Sequence, residues 1–319
     1  MSLEPLFLKP VFQERLWGGR RLQEQFHYPV PFEKTGECWA ISAHPHGRCL
    51  VKNGPYQGKN LQELWENHQE LFGDRKEKTF PLLTKLIDAS SDLSVQVHPD
   101  ETYARVHEDE EHGKTECWYI LDCEPGAEII LGHQAKSKDE LQTMIRENRW
   151  EDLLQRIPVK PGDFFYIPSG TVHALGAGIL VLETQQSSDV TYRLYDYDRV
   201  DQNGQKRELH LDKALDVIRV PHRPEPVVPQ IIQQKNAVFT TFLKCPWFTV
   251  EKWEIDGTVR IPTIENFLLV SVIGGRGQIR INRRTASFQK GDHFILPFLT
   301  GEFQLSGQFT LMVSQPPSA

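Results

Sequence analysis

The sequence lacks the features of disulfide-rich, thiolate-metal and membrane-spanning proteins. Its 319 residues contain an odd number of cysteines and no Cys-x-x-Cys pair, which argues against a disulfide framework and a thiolate zinc site. Reduced thiols are the default in the cytosol. No apolar run approaches the roughly 18 residues of a membrane span, and the first residues lack the basic and apolar regions of a signal peptide. We therefore expect a cytoplasmic protein without a membrane partner. The cysteines are Cys38, Cys49, Cys117, Cys123 and Cys245.

An excess of positive charge is also absent. The chain has 36 Lys and Arg against 43 Asp and Glu, a formal charge of −7 and a pI near 6.0. Nucleic-acid-binding domains normally present a basic surface, so this balance argues against a nucleic-acid partner. A small cationic pocket remains compatible with it. With 39% apolar and 25% charged residues, the chain can bury a full core.

Long helical patterns are scarce. Most apolar segments are short and separated by Gly and Pro, which is typical of strands and turns. Three segments have helical spacing instead, at about 60–73, 137–156 and 208–220. The first two begin with capping boxes at Asn60 and Ser137. We therefore expect short helical insertions in a mainly β protein.

The C-terminal third repeats an earlier pattern. The segment from Phe267 resembles the segment from Cys117, and Lys290-Gly-Asp292 echoes Lys160-Pro-Gly-Asp163. The first pair is 150 residues apart and the second pair, measured at its glycines, is 129 residues apart. The difference of 21 equals the length of residues 137–157, the helical insertion. The second copy lacks a Gln-x-His pair, so we expect no metal site in it.

This organisation predicts two cupin domains, which are jelly-roll β-barrels. The first, residues 1–220, would bind metal and carry the catalytic site. Residues 221–234 form a proline-rich linker in this prediction, because closely spaced prolines sustain neither a helix nor a strand ladder. The second domain, residues 235–319, would be metal-free and would cover the first.

Ligand-type side chains converge in the first predicted barrel. Gln96-Val-His98 reads as a strand, and side chains two residues apart project from the same face. Glu116 lies in another predicted strand and could add a carboxylate. His173 follows a turn, a short strand and a second turn. One histidine alone is more often a packed core residue, but two strand pairs with such side chains favour a metal site. The acidic run from His107 to His112 is predicted to be a solvated loop outside it.

Five segments together resemble the type I mannose-6-phosphate isomerase (phosphomannose isomerase) family, in its short bacterial branch. Their order and their spread over most of the chain make this resemblance specific. It implies reversible isomerisation of mannose 6-phosphate and fructose 6-phosphate through a metal-stabilised cis-enediol, with a sugar phosphate as the small-molecule partner. The segments are Phe80–Lys85, Leu93–Asp100, Gly113–Tyr119, Pro168–Ala174 and Ser188–Arg193.

The resemblance also implies the roles of individual residues. One zinc ion per chain is expected, although iron or manganese would accept the same ligand types. The implied metal ligands are Gln96, His98, Glu116 and His173. The implied catalytic residues are Arg193, Lys114 and Glu183. The implied phosphate-binding residues are Lys85, Ser94 and Arg199, the last of which stands where many members have lysine.

Several alternatives stay open at this level. The general base is either Glu183, whose pKa burial would raise, or Lys114, whose pKa a neighbouring dication would lower. Arg193 is expected to stabilise the enediolate. The rival functions are another cupin metalloenzyme, such as a dioxygenase or a different sugar-phosphate isomerase, and a non-catalytic sugar-binding regulatory cupin. For quaternary structure we expect a monomer or a weak homo-oligomer.

Overall fold

The computed structural model describes residues 4–75, 77–108, 110–200 and 204–317. Strands dominate this part of the chain, which confirms the prediction of a mainly β protein. In chain order the strands are β1 (Leu6–Lys9), β2 (Val11–Gly19), β3 (Thr35–Ile41), β4 (Leu50–Val51), β5 (Leu82–Ala89), β6 (Val95–Val97), β7 (Glu116–Cys123), β8 (Glu128–His133), β9 (Leu154–Pro158), β10 (Phe164–Ile167), β11 (His173–Leu175), β12 (Ile179–Gln186), β13 (Tyr192–Tyr195), β14 (Gln230–Gln234), β15 (Ala237–Lys244), β16 (Thr249–Ile261), β17 (Leu268–Ile281), β18 (Arg284–Gln289), β19 (His293–Leu296) and β20 (Phe303–Gln315).

The helices are short. In the described ranges, none combines the length and the apolar composition that a membrane crossing requires. Asn60 caps one of them, because its Oδ1 accepts from the Glu63 backbone N–H at 2.9 Å, and Ser137 Oγ does the same for Glu140 at 3.2 Å. The α-helices are α1 (Arg21–Phe26), α2 (Leu61–Asn67), α3 (Glu101–His107), α4 (Lys138–Arg146), α5 (Trp150–Leu153) and α6 (Leu211–Val217), with 3₁₀ turns at Gly54–Tyr56 and Gln69–Leu71.

The strands pair into three antiparallel sheets among the described residues. A six-stranded sheet has the order β10-β7-β12-β5-β2-β3, and a five-stranded sheet has the order β13-β6-β11-β8-β9. These two sheets pack on each other, since Ile87 and Trp118 of the first share a buried cluster with Ile129 and Leu175 of the second. Together they form the first barrel.

The third sheet builds the second barrel. Its order is β14-β15-β16-β20-β17-β19-β1-β4, with β18 beside β17. Its strands surround an apolar core of their own, which includes Trp253, Val270, Phe288, Phe294 and Phe303. Full burial of one such side chain contributes about 1.5–3 kcal/mol.

The two barrels share strands and core. Leu6 of β1 lies opposite Ile295 of β19, so the N-terminal segment belongs to the sheet of the second barrel. A further buried cluster contains Trp65 and Phe80 from the first half together with Phe267 from the second. The helices α4 and α5 lie between β8 and β9, whereas only residues 282–283 separate β17 from β18.

The predicted linker needs a correction at its end. Residues 230–234 form strand β14, which pairs with β15 from Gln230 opposite Thr241 to Gln234 opposite Ala237. The last proline of the stretch is Pro229. Residues 230–234 each have a backbone N–H, so the chain can join a ladder there.

Candidate metal centre and active site

Four ligand-type side chains meet where β6, β7 and β11 adjoin. Gln96 is the middle residue of β6, and His98 follows that strand by one residue. Glu116 begins β7 and His173 begins β11. Gln96 lies directly opposite His173 in the antiparallel pairing of β6 with β11. Each predicted ligand therefore lies at or next to a strand of the first barrel.

The turn before β11 depends on glycine. Gly170 has φ +81°, and a Cβ there would lie 2.8 Å from the carbonyl oxygen of Val217. Its N–H donates to the backbone oxygen of His98 at 2.8 Å, which ties this turn to the segment that carries the first histidine ligand. The turn thus brings His173 to the same place.

The histidine rings face Glu116 with their Nε2 atoms. His98 Nε2 lies 3.3 Å from Glu116 Oε2, and His173 Nε2 lies 3.3 Å from Oε1. On the far side of each ring, Nδ1 lies 2.9 Å from a backbone carbonyl oxygen, that of Val190 for His98 and that of Thr171 for His173. A carbonyl only accepts, so each Nδ1 carries the proton and each Nε2 presents a lone pair.

The protonation states of this centre suit a cation. Burial lowers the pKa of His98 to about 3 and also lowers the pKa of His173, so both rings are neutral near pH 7. Burial opposes ionisation of Glu116, but Lys114 and the two imidazoles hold its pKa well below the usual range. Neither carboxylate oxygen of Glu116 has a hydrogen-bond partner among the described residues. Two imidazole lone pairs and a buried carboxylate without hydrogen bonds, which Lys114 alone neutralises at 3.3 Å among the described lysines and arginines, fit a divalent metal.

Gln96 can complete this set. Its Nε2 lies 3.3 Å from His173 Nε2. Rotation of the amide by half a turn places the oxygen there instead, and the oxygen is the atom that binds metal. The structure therefore brings all four predicted ligands together.

A cavity of about 340 Å³ opens beside these ligands. Larger hollows of about 740 and 610 Å³ lie elsewhere, away from the four ligands. The cavity is rich in ionisable side chains, and all but one of the predicted catalytic and phosphate-binding residues line it; Arg199 does not. Its walls are Arg15, Trp17, Glu37, Lys85, Ile87, Leu93, Ser94, Gln96, Lys114, Trp118, Leu175, Glu183, Asp189, Thr191, Arg193 and Arg207.

Glu183 is a buried carboxyl group in this wall. It lies opposite Lys85 in the pairing of β12 with β5, with Oε1 3.5 Å from the Lys85 ammonium. Its Oε2 accepts a hydrogen bond from the Trp118 indole at 2.9 Å. Burial and the nearby charge of Glu116 raise the pKa of Glu183, and together they outweigh the opposing effect of Lys85.

Two further cations line the cavity beside the metal ligands. Lys114 Nζ is 3.0 Å from His98 Nε2 and 3.3 Å from Glu116 Oε2. Arg193 lies opposite Gln96 in the pairing of β13 with β6, and its Nε donates to Ser94 Oγ at 3.3 Å. The predicted catalytic residues thus adjoin the predicted metal ligands.

The sequence did not single out four ionisable residues of the cavity wall, which are Arg15, Glu37, Asp189 and Arg207. Asp189 lies within a segment that carries the family resemblance, which was the only available signal. His46 Nδ1 is 3.1 Å from its Oδ2, and the ligand atoms of His44, His46 and Asp189 all lie within 4.8 Å of one another. Lys85 lies close enough to lower the pKa of Asp189, and an ammonium there opposes a second dication.

The acidic run lies outside the metal centre. Helix α3 ends at His107, and the described residues after it have no regular structure up to β7. Glu111 accepts hydrogen bonds from the backbone N–H and the hydroxyl of Thr79, at 3.0 and 2.7 Å. Asp109, in the same run, lies outside the described residues.

Comparison with known proteins identifies the family. The profile of the type I phosphomannose isomerase catalytic domain matches residues 6–148, and that of the mannose-6-phosphate isomerase cupin domain matches residues 238–316. Mannose-6-phosphate isomerase ManA of Bacillus subtilis is 54% identical over 314 residues, 98% of this chain and 99% of that protein. The chain belongs to the type I phosphomannose isomerase family. It is an isomerase, as the resemblance implied.

Other relatives of this isomerase agree. The mannose-6-phosphate isomerase of Streptococcus mutans is 50% identical over 311 residues, 98% of each chain. The crystal structure of the mannose 6-phosphate isomerase from Bacillus subtilis matches with a TM-score of 0.95 at 53% identity, over 98% of this chain and 99% of that one. Membership of the family favours an isomerase over the dioxygenase and the regulatory cupin, and it confirms the cupin fold of the second barrel.

Proposed function

We propose that this chain catalyses the reversible interconversion of mannose 6-phosphate and fructose 6-phosphate in the cytoplasm. The observation that carries the proposal is the buried centre of His98, Glu116 and His173, which opens onto a cavity lined by Glu183 and Arg193. The relatives that cover nearly the whole chain bear the name of this activity.

The metal in this proposal is one zinc ion per chain. Nitrogen and oxygen ligands suit zinc. When bound, the ion supplies Lewis-acid stabilisation of negative charge on substrate oxygen atoms. The residues that would hold it are Gln96, His98, Glu116 and His173.

Glu183 is our choice of general base. The reaction moves a proton between neighbouring carbons of the sugar, which requires a group with a pKa near neutrality inside the cavity. Burial is the largest cause of the raised pKa of Glu183, and burial does not depend on what occupies the metal centre. The Trp118 indole fixes one carboxylate oxygen, so the other is the one that takes the proton from one carbon and returns it to the next.

In this proposal Lys114 and Arg193 interact with the oxygen atoms of the sugar. The Lys114 ammonium contacts two ligand atoms, His98 Nε2 and Glu116 Oε2, and this supports a role for it at sugar oxygens held near the metal rather than at the carbon-bound proton. The Arg193 guanidinium is held by Ser94 Oγ and by the Glu208 carbonyl oxygen, at 3.3 and 2.7 Å. A fixed cation of this kind stabilises the enediolate without reorganising during the reaction.

A coupled assay tests the proposed activity. Fructose 6-phosphate formation from mannose 6-phosphate is measured before and after dialysis against a chelator, with bound metal quantified in parallel. Activity should follow the metal content and return with added zinc. A fully metallated protein without activity would contradict the proposal. Light scattering of the same samples tests whether the chain is a monomer or a weak homo-oligomer, as we propose.

Solvent deuterium separates the two candidate bases. Glu183→Gln should abolish incorporation of deuterium from D₂O into the sugar phosphate at C1 or C2 and slow turnover about 10²- to 10⁴-fold. Lys114→Met, with Glu183 intact, should retain measurable exchange at carbon while turnover falls. Exchange that survives in Glu183→Gln and disappears in Lys114→Met would reverse the assignment.

A further inference from the structure

Charge is distributed unevenly around the cavity. Lys85, a predicted phosphate-binding residue, lies among carboxylates: burial opposes its charge, but Glu37, Glu183 and Asp189 hold its pKa above the ordinary value. Its ammonium also packs over the Trp39 ring, 5.1 Å from the centroid. A phosphate dianion next to this lysine would meet several negative charges, which is unfavourable in a buried place.

Arg199, another predicted phosphate-binding residue, uses its donors elsewhere. Its Nε donates to the Asp196 backbone oxygen at 3.3 Å and its Nη2 to Asp196 Oδ1 at 2.5 Å. Its Nη1 donates to the Asp92 backbone oxygen. Each nitrogen of the guanidinium is therefore engaged, and the side chain does not line the cavity.

Arg207 differs from Arg199 on both points. It lines the cavity, although its side chain is about as exposed as that of Arg199, 27% against 26%. Its Nε and Nη2 form a bidentate pair with the buried Asp196 carboxylate, at 2.7 and 2.5 Å. Its Nη1 makes no hydrogen bond to any described residue. The Asp196 carboxylate thus fixes the edge formed by Nε and Nη2, and the Nη1 N–H groups have no acceptor among the described residues.

Arg193 lies next to Arg207. Burial lowers the pKa of Arg193, and the neighbouring Arg207 guanidinium lowers it further, because two like charges repel. Arg193 also lies opposite Gln96 and contacts Ser94. Along this wall Arg193 is therefore the neighbour of Gln96 and Ser94 on one side and of Arg207 on the other. An anion beside both guanidinium groups relieves their repulsion.

We propose that Arg207, oriented by Asp196, binds the phosphate group of the substrate at the end of the cavity remote from the metal ligands. Ser94 and the outer edge of Arg193 adjoin this subsite, whereas Arg199 has a positioning role because it shares the Asp196 carboxylate. The proposal rests on a sugar phosphate as the substrate class.

Binding and kinetics of Arg207→Gln test this assignment. The zinc-loaded variant should bind inorganic phosphate about 10- to 100-fold more weakly by calorimetry, the loss expected for hydrogen bonds to a charged group. Its KM for mannose 6-phosphate should rise more than its kcat falls. Its preference for mannose 6-phosphate over unphosphorylated mannose, compared as kcat/KM, should fall by a similar factor. Arg207→Lys should recover part of the affinity, since it keeps the charge but not the bidentate geometry.

Two other arginine variants serve as comparisons. Arg156→Gln removes an exposed arginine, paired with Glu151 at 3.3 Å, and should leave phosphate binding unchanged. Arg199→Gln tests the sequence-based prediction. A larger loss of phosphate affinity in Arg199→Gln than in Arg207→Gln overturns our proposal, and so does wild-type affinity in Arg207→Gln. Because phosphate binding is measured without turnover, these results stand apart from the test of the isomerase activity itself.

Discussion

The two barrels repeat one strand pattern, but the buried polar residues at one corresponding position differ in their hydrogen bonding. In the first barrel both oxygens of Glu116 are buried without a hydrogen-bond partner among the described residues. The repeat places Asn266 at the corresponding position, directly before Phe267. The Asn266 amide donates to the Pro316 carbonyl oxygen at 2.7 Å and accepts from the Phe267 N–H at 2.9 Å. The oxygens of Glu116 therefore lack hydrogen-bond donors among the described residues, whereas the amide nitrogen and the amide oxygen of Asn266 both form hydrogen bonds.

The buried histidines do not show this contrast. Burial lowers the pKa of both His98 and His293 to about 3. Both ring nitrogens of His293 have polar partners, the Tyr28 hydroxyl at 2.7 Å and Ser271 Oγ at 2.9 Å. The Nδ1 of His98 has the Val190 carbonyl oxygen as its partner, and its Nε2 lies 3.0 Å from Lys114 Nζ and 3.3 Å from Glu116 Oε2. Burial, neutrality and a polar neighbour at each ring nitrogen are thus common to core and site, and the two unpartnered oxygens of Glu116 distinguish the site among the described residues.

The largest expected effect separates these two histidines. His98→Ala should lose the bound metal and at least about 10³-fold in turnover, because Lewis-acid stabilisation is worth several kcal/mol. His293→Ala should keep one metal per chain and nearly all turnover. It should lose about 2–4 kcal/mol in the free energy of unfolding, since two partners lose their hydrogen bond inside a packed core.

Metal analysis, steady-state kinetics and chemical unfolding of both variants check this contrast. His173→Ala should behave like His98→Ala. A His98→Ala protein that retains metal and activity would contradict the assignment of His98 as a metal ligand. A His293→Ala protein that loses its metal would show that the second barrel is not independent of the site.

Arg193→Ala has the next largest effect. The variant should retain its metal and its thermal stability and lose about 10²- to 10³-fold in kcat, the usual cost of removing one preorganised donor to a developing charge. Metal content and kcat are measured on the same preparation. A rate near that of the wild type would contradict the electrostatic role of Arg193 and would restrict the catalytic centre to the metal ligands and Glu183.

Local patterns in the sequence predicted much of the site. The Gln-x-His spacing places Gln96 in strand β6 and His98 directly after it. The capping box at Asn60 forms in full, whereas at Ser137 only the bond from the Glu140 N–H to Ser137 Oγ forms, because the Glu140 carboxylate accepts from the Lys136 N–H instead. These features depend on residues within a few positions of each other. Glu116 and His173, which lie on other strands, were candidates from the strand and turn patterns around them, and the family resemblance implied their roles as ligands.

Long-range pairing was not predictable in this way. Nothing near Leu6 indicates that β1 joins a strand almost 290 residues later, at Ile295. Arg207 likewise has no local signal, because its place in the cavity wall depends on the bidentate pair with Asp196. Only the folded chain shows which arginine keeps its donors free.

Asp88 of the first barrel can be compared with Glu116. It also has a buried carboxylate oxygen without a hydrogen bond, but it belongs to no group of possible metal ligands among the described residues. Its Oδ2 accepts from the Arg21 N–H at 2.8 Å, while its Oδ1 is buried without a partner among the described residues. Burial raises the pKa of Asp88 to about 6. Below about pH 6, protonation and not a metal thus relieves this carboxyl.

Asp88→Asn should change the pH dependence of stability. The folded-state pKa lies above the ordinary value of about 3.9, so the contribution to stability is present below about pH 4 and is lost as the pH rises through about 6. An amide does not titrate and can still accept from Arg21. The free energy of unfolding of the variant relative to wild type should therefore rise by about 3 kcal/mol between pH 4 and pH 7.5. Urea unfolding at several pH values measures it, and a constant difference across that range would contradict the expectation.

The smallest expected effect lies in the second barrel, at Asn266. Asn266→Ala leaves the Phe267 N–H and the Pro316 carbonyl oxygen without their partner, which should cost about 1–3 kcal/mol in the free energy of unfolding. Metal content and KM should not change, because the satisfied amide has no role in the site. Denaturant unfolding and metal analysis check both statements. If this variant loses metal, Asn266 contributes to the metal site as well as to the packing of the second barrel. That result would contradict the difference between the barrels that Glu116 and Asn266 show.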